Sequence, residues 1–277
     1  MKNIINILII VSVLVVSLLF VNSSLAKIDL KTVVGLWLFD ENTGTIAKDS
    51  SGNNNHGTLK GNVKWVTGKF GSAVEFPGAD ANYIEVPDSN TLDMNKQMTV
   101  MFWVKTSKAM KDMWADRQVV VGKHYLEYEI GMYMQAQIHT YTKNPVGAAD
   151  AYDEGIMASF AGKLPTKEAD WELNKWYHVA WTLNGKHEVA YVNGVKIGEF
   201  DKANEGTKPG THTLDIGRRQ GGGLPLTGAV DEVAILNVAL DEADIKTASE
   251  KSLNATVLTA VMPMGKLTTT WANIKNK

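Results

Sequence analysis

The chain contains no cysteine. That excludes disulfides, thiolate zinc sites, a cysteine nucleophile and lipid attachment through an N-terminal cysteine. Proline is sparse, at 7 of 277 residues, and neither sign of charge dominates, with 28 Lys and Arg against 30 Asp and Glu. No basic field exists to attract nucleic acid or anionic lipid. Long apolar runs are lacking too, with one exception: Ile4 to Val21 is almost wholly Ile, Val and Leu.

That run follows the basic start Met1-Lys2-Asn3 and leads to the small-residue stretch Ser24-Leu25-Ala26. The pattern is that of a signal peptide, residues 1–26, cleaved after Ala26. The alternative is an uncleaved N-terminal anchor, because the run approaches the ~20 residues that span a bilayer. On either reading the rest is exported, to the medium, the periplasm or the cell envelope. With the leader removed, 27 basic and 30 acidic residues leave a formal charge of −3, and no membrane span is expected in the mature chain. An exported domain without disulfides must be held by its core, by a bound metal, or by both.

What remains reads as strands. In "WYHVAWTLNGKHEVAYVNGVKIGEF", Trp176 to Phe200, the pairs Asn184-Gly185 and Asn193-Gly194 separate three runs rich in Val, Trp, Tyr and Ile. Asn-Gly favours the two-residue type I′ hairpin turn, so a three-stranded antiparallel meander is predicted. The same grammar predicts strands at 34–40, 72–76, 83–86, 99–105, 118–122, 126–135, 214–217 and 228–236. Several are apolar on both faces: Leu36 and Leu38 oppose Trp37 and Phe39, and Val100, Phe102 and Val104 oppose Met101 and Trp103. One face must pack on a second sheet, and the other must be covered by loops or a further layer. A single helix is predicted from Leu240 to about Ser252, with Asp241 as N-cap. Residues 141–172 lack strand grammar and are expected to form a long loop or insertion.

The last strand poses a chemical question. In "LPLTGAVDEVAILNVAL", Asp231 and Glu232 interrupt an apolar run. On a strand they point to opposite faces, so each lies in an apolar row. A buried carboxylate without a partner costs several kcal/mol, so hydrogen bonds, an ion pair or a metal are implied.

The motifs "GLWLFDENTGTIAKDSSGNNNHGTL", "GKFGSAVEFPG", "YIEVPDS", "MTVMFWVK", "KWYHVAWTLNGKHEVAYVNGVKIG", "LDIGRR" and "LTGAVDEVAILNVALDEADI" occur in that order between Val33 and Ile245. The ordered set resembles the laminin-G-like, concanavalin A-like domain of secreted bacterial proteins. The resemblance implies an all-β fold, a two-sheet antiparallel jelly-roll sandwich over residues 33–240 with the first and last strands side by side, followed by a short helix and tail over 241–277. It also implies a mainly non-catalytic module that binds glycans or proteins.

If the strand of Trp37 lies beside that of Val233, Asp40 and Asp231 can approach at the sheet rim. Two such carboxylates repel unless a cation neutralises them or one is protonated. Calcium takes oxygens from carboxylates, carbonyls and water, and "DENTG" could supply carbonyls. Similar jelly rolls often carry a structural calcium, so a calcium site at Asp40 and Asp231 is expected. The alternative is that Asp231 accepts hydrogen bonds from loop N–H groups with no metal present.

Other motifs admit plain structural roles. Asp49 to Gly57 lacks the alternating acids and closing Glu of an EF-hand, and reads as a tight connection with Asp49 bonding its own turn. Glu127 and Glu129 in "YLEYEIGM" could share a strand face, as the paired carboxylates of a retaining glycosidase do. The hydrolase pattern sought, an Asp between two Glu residues, is not there, and the competing reading is the solvated side of a half-buried strand. The six His, at 56, 124, 139, 178, 187 and 212, show no metal-ligand spacing. His178 and His187 are expected beside cross-strand aromatics. Trp37, Trp103, Trp176 and Trp181 are assigned to the core, whereas Trp114, Trp171 and Tyr141 stand in polar surroundings and are candidate sugar-stacking residues. The sequence thus supports an exported binding module for a glycan or cell-surface protein, with a concanavalin A-like glycoside hydrolase or an adhesive envelope protein as alternatives.

Overall fold

The computed structural model describes residues 28–111, 115–133, 137–143, 152–156, 171–203 and 205–257. Two eight-stranded antiparallel sheets face one another. The first holds β1 (Val33–Trp37), β4 (Lys64–Thr67), β5 (Ser72–Pro77), β7 (Gln97–Thr106), β12 (Tyr177–Asn184), β13 (His187–Val192), β14 (Val195–Asp201) and β16 (Thr227–Leu236). The second holds β2 (Ile46–Ala47), β3 (Gly57–Lys60), β6 (Tyr83–Val86), β8 (Gln118–Gly122), β9 (Tyr128–Met132), β10 (Ile138–Lys143), β11 (Tyr152–Ile156) and β15 (Leu214–Ile216). The fold is the expected jelly-roll sandwich. Among the described residues no helix is long and apolar enough to cross a membrane.

The terminal strands meet as expected. β1 pairs antiparallel with β16, placing Trp37 opposite Val233. β16 is long enough to take two partners along one edge, β5 beside Thr227–Val230 and β1 beside Val233–Leu236, while β7 runs along the other edge. At the junction a β-bulge falls between Asp231 and Ala234, with Glu232 in the left-handed region at φ 47°. A bulge re-aims side chains relative to the regular alternation, which gives each acidic residue its own surroundings.

Between the sheets lie Trp37, Phe39, Phe76, Phe102, Tyr128 and Trp181, all at most 1% exposed. Removing one such large side chain costs about 3–5 kcal/mol. Glu188 of β13 is buried within this layer, where it accepts from Thr140 Oγ1 of β10 at 2.7 Å and from Trp181 Nε1 at 3.1 Å, so a polar bridge ties the sheets. A second apolar layer covers the outside of the first sheet. There Leu36, Met101, Ala234 and Leu236 pack against Ile28 and against Ile245, Ala248 and Leu253 of two helices. These are α1 (Glu242–Glu250), capped by Asp241 on the N–H of Asp244, and α2 (Leu253–Thr256). This is the further layer that two-faced apolar strands require.

Several boundaries differ from expectation. β1 ends at Trp37, because Phe39 takes a left-handed φ of 57° and the chain turns at Asp40. The strand expected at 126–135 starts only at Tyr128, so Glu127 lies in the preceding turn. The stretch 141–172 contains the end of β10 and all of β11. The first meander turn is Gly185-Lys186 rather than Asn184-Gly185, since Asn184 pairs with His187 and Gly185 alone has positive φ. The second turn is Asn193-Gly194 with both residues left-handed, as type I′ requires. The short strands β2 to β4 escaped the sequence reading, being too short for alternation to show.

Candidate functional site

The acidic pair of β16 is accounted for by two separate sets of donors. Asp231, fully buried, accepts the Phe70 N–H at 2.9 Å through Oδ2, while its Oδ1 has no hydrogen-bond partner among the described residues. Burial pushes its carboxyl up to about 8, against the pull of the Phe70 and Lys69 backbone, and the nearby charges of Glu232 and Asp40 push the same way. Glu232 faces the helices. It accepts from the Ser252 hydroxyl and from the Leu253 N–H, and burial raises it to about 7.

Asp40 reaches the same turn as Asp231. Its Oδ1 accepts the Ser72 N–H at 3.1 Å, and the Ser72 hydroxyl donates to the Phe39 carbonyl. Gly68 and Gly71 are pressed against the two carboxylates: a Cβ on Gly68 would sit 2.6 Å from Asp231 Oδ2, and one on Gly71 would collide with Asp40. The turn after β4 is therefore held by both of the acids that were expected to converge. Beside Asp40 lies a hollow of about 310 Å³ lined by Asn42, Thr67 and Ser72. Among the described residues no group of three or more His, Cys, Asp or Glu side chains is arranged to hold a metal. Asp231 thus has the loop N–H contact anticipated for a metal-free role. The buried, unpartnered Oδ1 is an oxygen that a hard cation would satisfy, and with only two carboxylates such an ion would rely on carbonyls and water, as calcium does.

The outer face of the second sheet carries a different constellation. Glu129 of β9, 1% exposed, is gripped by Arg219: Nη2 lies 2.6 Å from Oε1, and Nε 3.0 Å from Oε2. Burial alone would lower the Arg219 pKa, but Glu129 and Tyr141 more than offset this and hold the guanidinium charged. Arg219 also lies 5.2 Å from the rings of Tyr125 and Tyr141. From Tyr141 a hydroxyl contact of 2.7 Å leads to Tyr133, whose hydroxyl accepts from Arg117 Nη1 at 3.0 Å. His139 sits among these tyrosines, and burial with Arg117 and Arg219 lowers it to about 3, so it is neutral.

At the end of this face Glu127 is committed as well. One oxygen takes Lys123 Nζ at 2.8 Å, and the other meets His212 Nδ1 and the His212 N–H. Lys123, whose side chain is wholly buried, also pairs with Asp88 at 2.8 Å and Asp93 at 2.7 Å. His212 is 41% exposed and stacks on His124, with centroids 4.1 Å apart and planes 9° from parallel. His124 in turn packs against Tyr125 at 4.3 Å. His124 adopts a φ of 100°, strained for a residue with a Cβ. The result is a half-buried ladder of rings, His212, His124 and Tyr125, ending at Arg219.

The sequence-based candidates therefore divide. Tyr141 lies within the outer-face network, 6% exposed. Trp171 stacks on Tyr177 at 4.1 Å and donates its Nε1 to Thr106 at 2.6 Å, so it extends the core. Trp114 lies outside the described residues. Glu127 and Glu129 are not solvated, because each is buried and ion-paired. His178 faces Trp103 as expected, whereas His187 meets Asp201 at 2.8 Å and Glu199 at 3.6 Å instead of an aromatic ring. Arg117, Arg219 and the His124–His212 stack went unrecognised. "GRRQGGG" held the one usable signal, two arginines in a glycine-rich loop.

A family model described as the concanavalin A-like lectin/glucanases superfamily matches residues 77–246. The chain belongs to that superfamily. Among solved structures, domain 4 of AbnA, an extracellular arabinanase from Geobacillus stearothermophilus in complex with arabinotriose, superposes with a TM-score of 0.59 at 18% identity, covering 79% of this chain and 98% of that one. The binding domain of Paraclostridial Mosquitocidal Protein 1 gives 0.63 at 18% identity over 79% of this chain, and the binding domain of botulinum neurotoxin DC in complex with SialylT gives 0.61 at 16% over 80%. This superfamily member spans about half of each of those two binding domains, 52% in both cases. No curated protein sequence matches it.

Proposed function

We propose that this superfamily member is an exported, non-catalytic binding module for a glycan or cell-surface glycoprotein, with ligand contacts on the outer face of the second sheet. The observation that carries the reading is the ladder His212–His124–Tyr125 ending at Arg219, next to Tyr141. Sugar rings present C–H faces that pack on such platforms, and a guanidinium in the same row offers donors to hydroxyls. The neighbouring folds point the same way, since one holds arabinotriose and another SialylT. A catalytic role for Glu127 and Glu129 is disfavoured because Lys123, His212 and Arg219 already occupy their carboxylates.

A calcium ion held by Asp40 and Asp231 forms the second part of the proposal. It is supported by the buried Asp231 Oδ1 and by the shared grip of both acids on the 68–72 turn. When bound, the ion would neutralise two neighbouring carboxylates and fix that turn. Its role is structural.

A glycan array run with and without calcium tests the module. Binding to defined sugars that Tyr125→Ala abolishes supports the reading. Silence across the array overturns it, as does polysaccharide turnover that vanishes in Glu129→Gln.

A further inference from the structure

We propose a second, independent ligand site: a cleft of about 500 Å³ between the approach to β7 and the β12–β13 turn, built to take a short neutral oligosaccharide. Its volume falls in the range of small-molecule sites. Four exposed carboxamides line it, those of Asn95, Gln97, Asn184 and Asn237. Each carboxamide offers two donors and an acceptor at fixed spacing. Vicinal sugar hydroxyls need that combination, because every hydroxyl both donates and accepts.

The electrostatics select against anionic ligands. Lys96 is paired with Glu205 at 3.3 Å, and the Asp93 carboxylate is turned to Lys123 at 2.7 Å. The lining lysine is thereby neutralised by Glu205, and Asp93 shares Lys123 with Asp88 and Glu127, so no positive field is left for an anionic sugar or a phosphate. Met94, only 3% exposed, belongs to the core and closes the cleft from beneath.

The walls are fixed before any ligand arrives. Gly185 N–H donates to the Lys96 carbonyl at 2.8 Å, Thr207 N–H to the Asn95 carbonyl at 2.6 Å, and Gly206 N–H to the Gly185 carbonyl at 2.7 Å. Gln97 Nε2 donates to Asn184 Oδ1 at 2.9 Å, which orients both amides. Gly185 and Gly206 both take positive φ, 65° and 72°, and a Cβ on Gly206 would lie 2.5 Å from the Asn95 carbonyl. The backbone of the walls and the Gln97–Asn184 pair therefore lose little freedom on binding, which favours affinity.

The test titrates the full chain with neutral gluco-, manno-, xylo- and arabino-tetrasaccharides and with one uronic-acid tetrasaccharide, by calorimetry. The double variant Gln97→Ala/Asn237→Ala alters only exposed side chains, and its melting temperature checks the fold. We expect at least one neutral tetrasaccharide to bind. The double variant should weaken it about tenfold, the effect of losing one or two hydrogen bonds. Tyr125→Ala should leave this binding event in place. No neutral binding, or unchanged affinity and stoichiometry in the double variant, overturns the proposal. Loss confined to Tyr125→Ala would remove the cleft while leaving the outer-face module standing.

Discussion

The carboxylate of Glu232 accepts the backbone N–H of Leu253 at 3.0 Å, so a central strand of the first sheet fastens the start of α2. The same carboxylate takes the hydroxyl of Ser252, the N-cap of that helix. Replacing Glu232 with Ala strands both donors. Each lost bond is worth about 0.5–1.5 kcal/mol with the carboxyl neutral and about 1.5–3 kcal/mol with it ionised, less any water that enters. Hydrogen exchange at 253–257 should accelerate while β7 and β12 stay protected. Unchanged protection at Leu253 would contradict this anchoring.

Calcium should raise the melting temperature of the wild-type chain, because a ligand that binds only the folded state stabilises it. Excess chelator should reverse the rise, and Asp231→Asn should abolish the response. An identical melting curve with calcium and with chelator would remove the ion from the account.

Lys123 is completely buried and touches three carboxylates, those of Asp88, Asp93 and Glu127. Those acids hold its pKa above the ordinary lysine value, although burial acts in the opposite direction. Lys123→Met leaves the acids facing one another, and breaking a buried pair in this way costs about 3–5 kcal/mol. The denaturant midpoint should fall accordingly.

Acid should destabilise the fold partly through His178. Neither ring nitrogen has a hydrogen-bond partner among the described residues, and burial lowers its pKa to about 3. Below the unfolded value near 6.5 the unfolded chain binds a proton that the folded chain refuses. Stability contributed by this site is therefore intact above pH ~6.5 and declines down to about 3, by about 1.4 kcal/mol per pH unit. In urea titrations at pH 7 and pH 4.5, His178→Gln should lose less stability on acidification than the wild type. An equal loss would exclude His178 as a contributor.

Much of the scaffold could be read from residue order. Asn193-Gly194 specified its hairpin because both residues tolerate left-handed backbone, and the β1–β16 pairing followed from the ordered motifs. The two-faced apolar strands correctly demanded a cover of loops or a further layer, and α1 and α2 supply it. The candidate site was less legible. Glu127 and Glu129 looked solvated because alternation cannot reveal that Lys123, His212 and Arg219 close over them, the last two some 85 to 90 residues away along the chain.

By itself, the sequence determined the strand-rich class and the absence of thiol chemistry, since both depend on composition and local backbone preference. It also required partners for Asp231 and Glu232, because a bare carboxylate cannot remain in an apolar row. Which partners they found was settled only in three dimensions. A bulge where β5 gives way to β1 directs one acid to the 68–72 turn and the other to Ser252 and Leu253. The meeting of His124 with His212, like the walls of the amide cleft, unites segments remote in the chain, and only the closed sandwich brings them within contact distance.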